Sequence, residues 1–170
     1  MTENSLQSDN PSPSQLELPR FVDGTSMLLA GLRDHYTRAT MQEIPKLWQR
    51  FVPYLDKLPE KISSVTYGIC FPLPEGFDYL SAVEVNSASQ LPKEFSVVAM
   101  PVERYAVFTH RGHVSKLNET CRAIEQEWLP KSGFSFALGA PGAPGFFERY
   151  GENFDPKIGA GDIEVWVPIR

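Results

Sequence analysis

The stretch Gly145-Phe-Phe-Glu-Arg-Tyr-Gly151 has the length of a strand, ends in glycine on both sides and sets a carboxylate among aromatic rings. Side chains two apart on a strand share a face, so one face carries Phe146, Glu148 and Tyr150 and the other carries Phe147 and Arg149. An acid between two rings suits an organic cation or a polarised electrophile, because rings supply dispersion and cation–π attraction while the acid supplies charge. The competing interpretation is an edge strand whose acid faces water.

Composition limits the class of protein. The 170 residues are 42% hydrophobic and 12% aromatic, which is typical of one soluble globular domain. A net charge of -5 without a Lys/Arg cluster argues against direct nucleic-acid binding. No apolar run reaches the length of about 18 residues that a membrane span needs, and the N-terminus has no signal-peptide pattern. We therefore expect a cytoplasmic protein that contacts no membrane.

Three further features bear on organisation and chemistry. Residues 1–19 are rich in Ser, Pro, Asn and Gln, so we expect a disordered tail before a domain over residues 20–170. Cys70 and Cys121 lie far apart without zinc-site spacing, which favours buried free thiols in a reducing compartment. His35, His110 and His113 lack further spaced ligands, so no metal site is predicted. No phosphate-binding or dinucleotide fingerprint is present, so no cofactor is predicted.

The first half predicts the order β-α-β-β. A strand over residues 27–37 precedes Thr40-Met-Gln-Glu43, which has the form of a capping box. Apolar residues then follow at helical spacing from 44 to 58, with Pro53 expected to kink or end the helix. Strands are predicted over residues 66–71 and 77–85.

The second half repeats this order. Two strand-like pieces, 97–102 and 104–111, precede a helix over 113–129 that Pro130 and Gly133 should stop. The opening stretch and residues 163–168 supply the last two strands. We therefore predict an α+β fold of duplicated β-α-β-β modules, about 20–90 and 91–170. A pseudo-twofold axis would relate antiparallel sheets with a central ligand cleft between them.

Several motifs in this order resemble the gyrase-inhibitor-like domain, the effector-binding module of some AraC-type and MerR-type regulators that also occurs alone. They are Ile44-Pro-Lys-Leu-Trp48, Tyr67-Gly-Ile-Cys-Phe71, Tyr105-Ala-Val-Phe-Thr-His-Arg-Gly112, Trp128-Leu-Pro-Lys-Ser-Gly133, Phe147-Glu-Arg-Tyr150 and Ile163-Glu-Val-Trp-Val-Pro-Ile169. The resemblance covers about residues 20–170. It implies the duplicated fold, a cleft for aromatic and often cationic compounds, and an acid reaching into that cleft at the position of Glu148. It points to a stand-alone member, because no helix-turn-helix precedes residue 20.

Other candidate ligand-binding residues have competing structural roles. Trp48 and Trp128 lie on apolar helix stripes, where the core competes with a cleft wall. Trp166 lies opposite the apolar face of the last strand, which places it in the cleft or at the surface. The duplication places Tyr67 on the face of Glu148 and Tyr150. Glu84 is the first half's counterpart of Glu164, and a solvated edge is the favoured position for both acids.

Three functions remain open at this stage. The first is a module that captures or senses an aromatic, amphipathic compound, either cationic or neutral. The second is a hydrolase that detoxifies electrophilic compounds in the same cleft, with Glu148 as general base and Tyr67 or Tyr150 as donor. The third, implied only by the resemblance, is binding to a topoisomerase. It ranks last because no surface pattern marks a protein partner, which stays unspecified.

Overall fold

The computed structural model describes residues 16–170. Eight strands are present: β1 Arg20–Asp23, β2 Met27–Tyr36, β3 Lys61–Pro72, β4 Phe77–Val85, β5 Ser96–Met100, β6 Arg104–His110, β7 Phe147–Tyr150 and β8 Ile163–Pro168. The α-helices are α1 Ile44–Phe51, α2 Leu117–Ala123 and α3 Leu129–Ser132. The short strand β1 was not predicted, because its four residues lie beside the polar tail.

The first helical segment, residues 41–57, largely follows the predicted pattern. A 3-10 turn precedes α1, and α1 gives way to a second 3-10 turn over Val52–Lys57 at Pro53. The capping-box prediction is wrong. The Thr40 hydroxyl accepts from the backbone N–H of Thr37 instead of capping the helix, because the chain makes a turn there.

The second helical segment, residues 114–132, runs past Pro130, one of the two residues predicted to stop it. A π-helical turn over Ile124–Trp128 joins α2 to α3, and Pro130 lies in the first turn of α3. The segment ends at Gly133, whose φ of 79° is left-handed, a conformation that glycine adopts without steric cost.

The predicted duplication is confirmed, with one difference. The strands form a single antiparallel sheet in the order β1-β6-β8-β7-β3-β4-β2-β5, so the halves share one sheet instead of forming two. The orders β3-β4-β2 and β7-β8-β6 repeat each other, and β3 pairs with β7 where the halves meet. The short strand before each half pairs with the opposite half, β1 with β6 and β5 with β2.

The sheet has two differently covered faces. On the helix face, α1 packs over β2 and β4 through Leu47 and Phe51, and the second helical segment packs over β6 and β8 through Leu117 and Ile124. The inner face carries a core made of strand residues alone. In that core, residues of β2 and β5 pack together with residues of β6 and β7, although the first two strands lie far from the last two in the sheet. The sheet is therefore curved around its inner face.

The prediction for the tail falls mostly outside the described residues, which begin at 16. Within them, Leu16 packs against the core under the second helical segment, and the Glu17 carboxylate accepts from the Arg111 guanidinium. The last residues of the predicted tail therefore contact the folded body.

Candidate functional site

The strand β7 lies in the middle of the sheet, between β3 and β8. Its central acid, Glu148, is 9% exposed and points to the helix face, opposite Gly68 of β3 and Val165 of β8. The edge-strand interpretation is therefore wrong. None of the ion pairs formed within residues 16–170 involves Glu148.

Two tyrosines and a tryptophan surround this acid. The Tyr79 hydroxyl donates to Glu148 Oε1 at 2.7 Å, and the Tyr150 hydroxyl donates to the same oxygen at 3.4 Å. The Trp48 Nε1–H donates to the Tyr79 hydroxyl at 3.1 Å. The Trp48 ring also packs edge-on against Tyr150, with centroids 5.5 Å apart. The carboxylate thus lies among two tyrosines of the sheet, with Trp48 of α1 packed over them.

Glycine makes this arrangement possible. Tyr79 stands on β4 and Glu148 on β7, so the tyrosine must pass over β3, which lies between them. It passes at Gly68, where a Cβ atom would overlap the Tyr79 hydroxyl and lie 2.8 Å from Glu148 Oε1. Ser81 of β4 pairs with Gly68, and its buried Oγ has no hydrogen-bond partner among residues 16–170. Sequence analysis missed Tyr79, although its alternation with Val83 and Val85 places it on the core face of its strand.

Burial dominates the electrostatics of the acid. Removal of Glu148 from water raises its pKa from 4.5 to about 7, and the hydrogen bonds from Tyr79 and Tyr150 oppose that rise. Burial and the neighbouring carboxylate together hold the pKa values of Tyr79 and Tyr150 well above the usual tyrosine value. Near neutral pH the acid therefore exchanges its proton, whereas both phenols keep theirs.

The structure gathers four of the predicted ligand-binding residues around one point. Glu148, Tyr150 and Trp48 are linked as described, and Phe146 packs, like Trp48, against the cores under both helical segments. Both rings thus mark the junction between the two helical segments. Trp128 lies elsewhere, because its ring packs against Phe108 and Phe134 at 5.0 and 6.2 Å.

The prediction that Tyr67 faces Glu148 is wrong. In the antiparallel pair of β3 and β7, Tyr67 lies opposite Arg149 and therefore shares its face. Trp166, opposite Phe147, and Glu84, on β4 beside the buried Ala82, also belong to the inner face. The duplication correctly predicted the order of helices and strands along the chain. It did not give the register between β3 and β7, which decides whether Tyr67 lies on the same face as Glu148.

The expectation of solvated edge acids is also wrong, clearly so for Glu164. It lies on the interior strand β8 and is 8% exposed. Arg20 approaches its Oε2 at 2.6 Å, Arg149 its Oε1 at 3.4 Å, and the Trp166 Nε1–H donates to Oε1 at 3.3 Å. Its counterpart Glu84 is half-buried on the interior strand β4.

The two thiols are unpaired, and the imidazole of His110 is held by hydrogen bonds. Cys70 and Cys121 are free, and burial raises both pKa values, that of Cys121 to about 12. His110 uses both ring nitrogens, at 2.7 Å from the Thr120 hydroxyl and 2.9 Å from the His113 carbonyl. Among residues 16–170, no three His, Cys, Asp or Glu side chains cluster as metal ligands would. No helix in the same part of the chain is long and apolar enough to cross a membrane.

Comparison with known proteins places this site in a family context. A family model described as integron-associated effector binding protein, Cass2, matches residues 21–169. The curated transcriptional regulator BrlR of Pseudomonas aeruginosa is 29% identical over 153 residues, which cover 88% of this chain. The match covers 54% of that regulator, so the chain spans about half the length of this relative.

Solved structures share the fold at lower identity. The structure of SAV2435 bound to tetraphenylphosphonium superposes with a TM-score of 0.69 at 22% identity, over 89% of this chain and 93% of the other. An integron cassette protein from the mobile metagenome of Vibrio cholerae superposes with a TM-score of 0.69 at 17% identity, over 91% and 97% of the two chains. The TM-scores show that the fold is shared, and because both identities are below 25% the likeness shows the fold alone.

Proposed function

The chain belongs to the integron-associated effector-binding protein family, and on that premise we propose that it captures an aromatic cation against Glu148, between its two helical segments. Small-molecule binding is the function class of the family. The cationic and aromatic character of the ligand is our proposal, and it rests on the chemistry around the acid.

One observation carries the proposal: Glu148 is a buried carboxylate without a cationic partner among residues 16–170. A buried acid without a counter-charge is costly, and that cost appears as the raised pKa of Glu148. An organic cation would supply the missing charge, while Trp48, Tyr79 and Tyr150 would supply ring faces and edges for it. The tetraphenylphosphonium named for SAV2435 is a compound of this class.

The position of Trp48 also suggests where a ligand enters. Trp48 is half-buried and held by one hydrogen bond to Tyr79, and it lies at the junction between the helical segments. Rotation of its ring would expose Glu148 without breaking a strand pair. We therefore assign entry to the gap between α1 and the second helical segment.

Calorimetric titration of tetraphenylphosphonium and neutral triphenylphosphine oxide tests the proposal. Replacing Glu148 by Gln should weaken the cation by about 1–3 kcal/mol, the scale of a hydrogen bond to a charged group, and leave the neutral compound unchanged. Glu84→Gln, which alters an acid on the opposite face, is the matched control and should change neither affinity. Equal affinities of wild type and Glu148→Gln for the cation would refute the proposal.

A hydrolase is the second candidate, favoured by the pKa of Glu148 near 7, which suits a general base at neutral pH. The carboxylate would take a proton from a water whose oxygen bonds to the electrophilic carbon, and a tyrosine would protonate the leaving atom. The raised pKa values of Tyr79 and Tyr150 make them weak acids for that step, so binding ranks first. Breakdown of an electrophilic compound that slows by about a hundredfold in Glu148→Gln, with binding retained, would favour the hydrolase.

We further propose that this chain does not bind duplex DNA by itself. Its net charge of -5 and the lack of a Lys/Arg cluster in the sequence leave little counterion release to drive such binding. Salt-sensitive retardation of a duplex at micromolar protein in a mobility-shift assay would contradict this.

A further inference from the structure

A cavity lies on the inner face of the sheet, away from Glu148. Its volume is about 270 Å³, close to the lower end of the range for small-molecule pockets. Its walls come from the ends of β1 and β2, from the connection between them, and from the four strands β3, β6, β7 and β8. Six of the residues that line it are Thr25, Tyr67, Tyr105, Phe147, Arg149 and Trp166.

The aromatic walls of this cavity are fixed in place. The rings of Phe147 and Trp166 stack 5.3 Å apart with an interplanar angle of 19°, and Tyr105 meets both edge-on at 5.4 Å. All are buried or half-buried, and Trp166 is further held by its hydrogen bond to Glu164. A rigid aromatic wall suits a flat ring, because little side-chain entropy is lost on binding.

The positively charged group of the cavity wall is the Arg149 guanidinium. Glu164 is already held by Arg20 at 2.6 Å, and Arg149 contacts it through Nη1 alone, at 3.4 Å. Arg149 also donates to the Tyr67 hydroxyl, which opposes the rise that burial gives the pKa of Tyr67. A guanidinium has five N–H donors in a planar fork, so most of those of Arg149 are free to meet a ligand. The fork fits a carboxylate in bidentate geometry.

We propose that this inner cavity is a second ligand site, which takes a small aromatic carboxylate with its ring along Trp166 and its carboxylate on Arg149. Residues of the two sites alternate along β7. Glu148 points to the helix face, whereas Phe147 and Arg149 point to the inner face. The protein thus presents an acid to one ligand and a guanidinium to the other. The inner site does not depend on the function proposed for Glu148.

Besides Glu164, which contacts Arg149 and Trp166, two further acids lie near the inner cavity. Asp23, exposed on β1, lines its mouth, and Glu84 approaches Tyr67 from β4. Asp23 would repel an entering carboxylate through solvent, so its removal should improve binding. This sign is opposite to the one expected for a site that holds a cation.

Calorimetry with 2-naphthoate, 2-naphthamide and 2-naphthylmethylamine tests the assignment on the intact chain. Wild type should bind the naphthoate in a 1:1 complex, about tenfold or more tighter than the amide, the effect of one charge-assisted contact. Arg149→Gln should abolish this preference. Asp23→Asn should strengthen naphthoate binding, and Thr25→Phe, which fills the mouth, should weaken all compounds. Asp23 and Thr25 are exposed, so these two variants decide the matter if Arg149→Gln fails to fold.

Glu148→Gln is the matched control on the opposite face and should leave naphthoate binding unchanged. Four results would overturn the proposal: no saturable binding of the naphthoate, a preference for the amine that persists in Glu148→Gln, a preference for the naphthoate that survives in folded Arg149→Gln, or weaker naphthoate binding in Asp23→Asn. Loss of naphthoate binding in Glu148→Gln would also overturn it, because it would place the compound at the helix-face site.

Discussion

The Tyr79 hydroxyl reaches over a whole strand to donate a 2.7 Å hydrogen bond to Glu148 Oε1, so β4 and β7 are linked by side chains across β3. Residues of both halves thereby meet at one carboxylate, since Tyr79 comes from the first half and Glu148 from the second. The centre of the duplicated fold and the candidate binding site are the same place.

Gly68 should be indispensable to that link. An Ala side chain there would overlap the Tyr79 hydroxyl, so Gly68→Ala should destabilise the fold by roughly 1–3 kcal/mol through overpacking and should disrupt the bond to Glu148. Urea unfolding measures the loss. Ser64→Ala, at an exposed position of the same strand, is the control and should change stability by less than about 0.5 kcal/mol. A Gly68→Ala variant as stable as wild type would contradict the packing described.

Stability should fall as pH rises, through Glu148. The folded pKa of about 7 lies above the unfolded value near 4.5, so the folded state binds more protons between those two values and loses stability as pH increases through them. The full difference is on the order of 3 kcal/mol, at about 1.4 kcal/mol for each tenfold change in proton affinity. This loss of stability should be absent at pH values below the unfolded pKa and complete at pH values above the folded pKa.

Glu148→Gln isolates this contribution, because it removes the titrating group and keeps the shape. The free energy of unfolding of wild type minus that of Glu148→Gln should decrease from about pH 5 to about pH 8. A difference that stays constant over this range would mean that Glu148 titrates normally.

Cation affinity should respond to pH in the opposite direction to stability. Only the ionised carboxylate attracts a cation, so tetraphenylphosphonium should bind up to about tenfold more tightly for each pH unit gained below the pKa of Glu148 and level off above it. Triphenylphosphine oxide, which carries no charge, should show no such slope. Parallel pH profiles for the two compounds would exclude a role for the charge of Glu148.

Ligand entry past Trp48 should be visible in its fluorescence. Binding of tetraphenylphosphonium at Glu148 should change the emission of Trp48, which covers the acid through Tyr79 and Tyr150. Trp48→Phe should abolish the change. Trp128→Phe should retain it, because that ring packs against Phe108 and Phe134. A signal that disappears with Trp128 instead would place the ligand at the second helical segment.

Local patterns in the sequence determined much of the fold. Alternation in Ile163–Pro168, helical spacing in residues 44–58 and the recurrence of β-α-β-β depend on neighbours within a few residues, so they predicted the antiparallel α+β class and both helical segments. The same alternation correctly divided Phe146, Glu148 and Tyr150 from Phe147 and Arg149. Glu148 was singled out because an acid between rings is unusual on any strand, wherever the strand lies.

The tertiary structure alone decided which residues share a site. A shift of one residue in the pairing of β3 with β7 reverses the face of every side chain, and no local pattern encodes that register. This register placed Tyr67 with Arg149 on the inner face, and it let Tyr79 cross Gly68 to reach Glu148. The pairing of β7 with β8 placed Trp166 on the same inner face. Burial of Glu148 also depends on β7 lying between β3 and β8, because only long-range strand pairing removes that carboxylate from water.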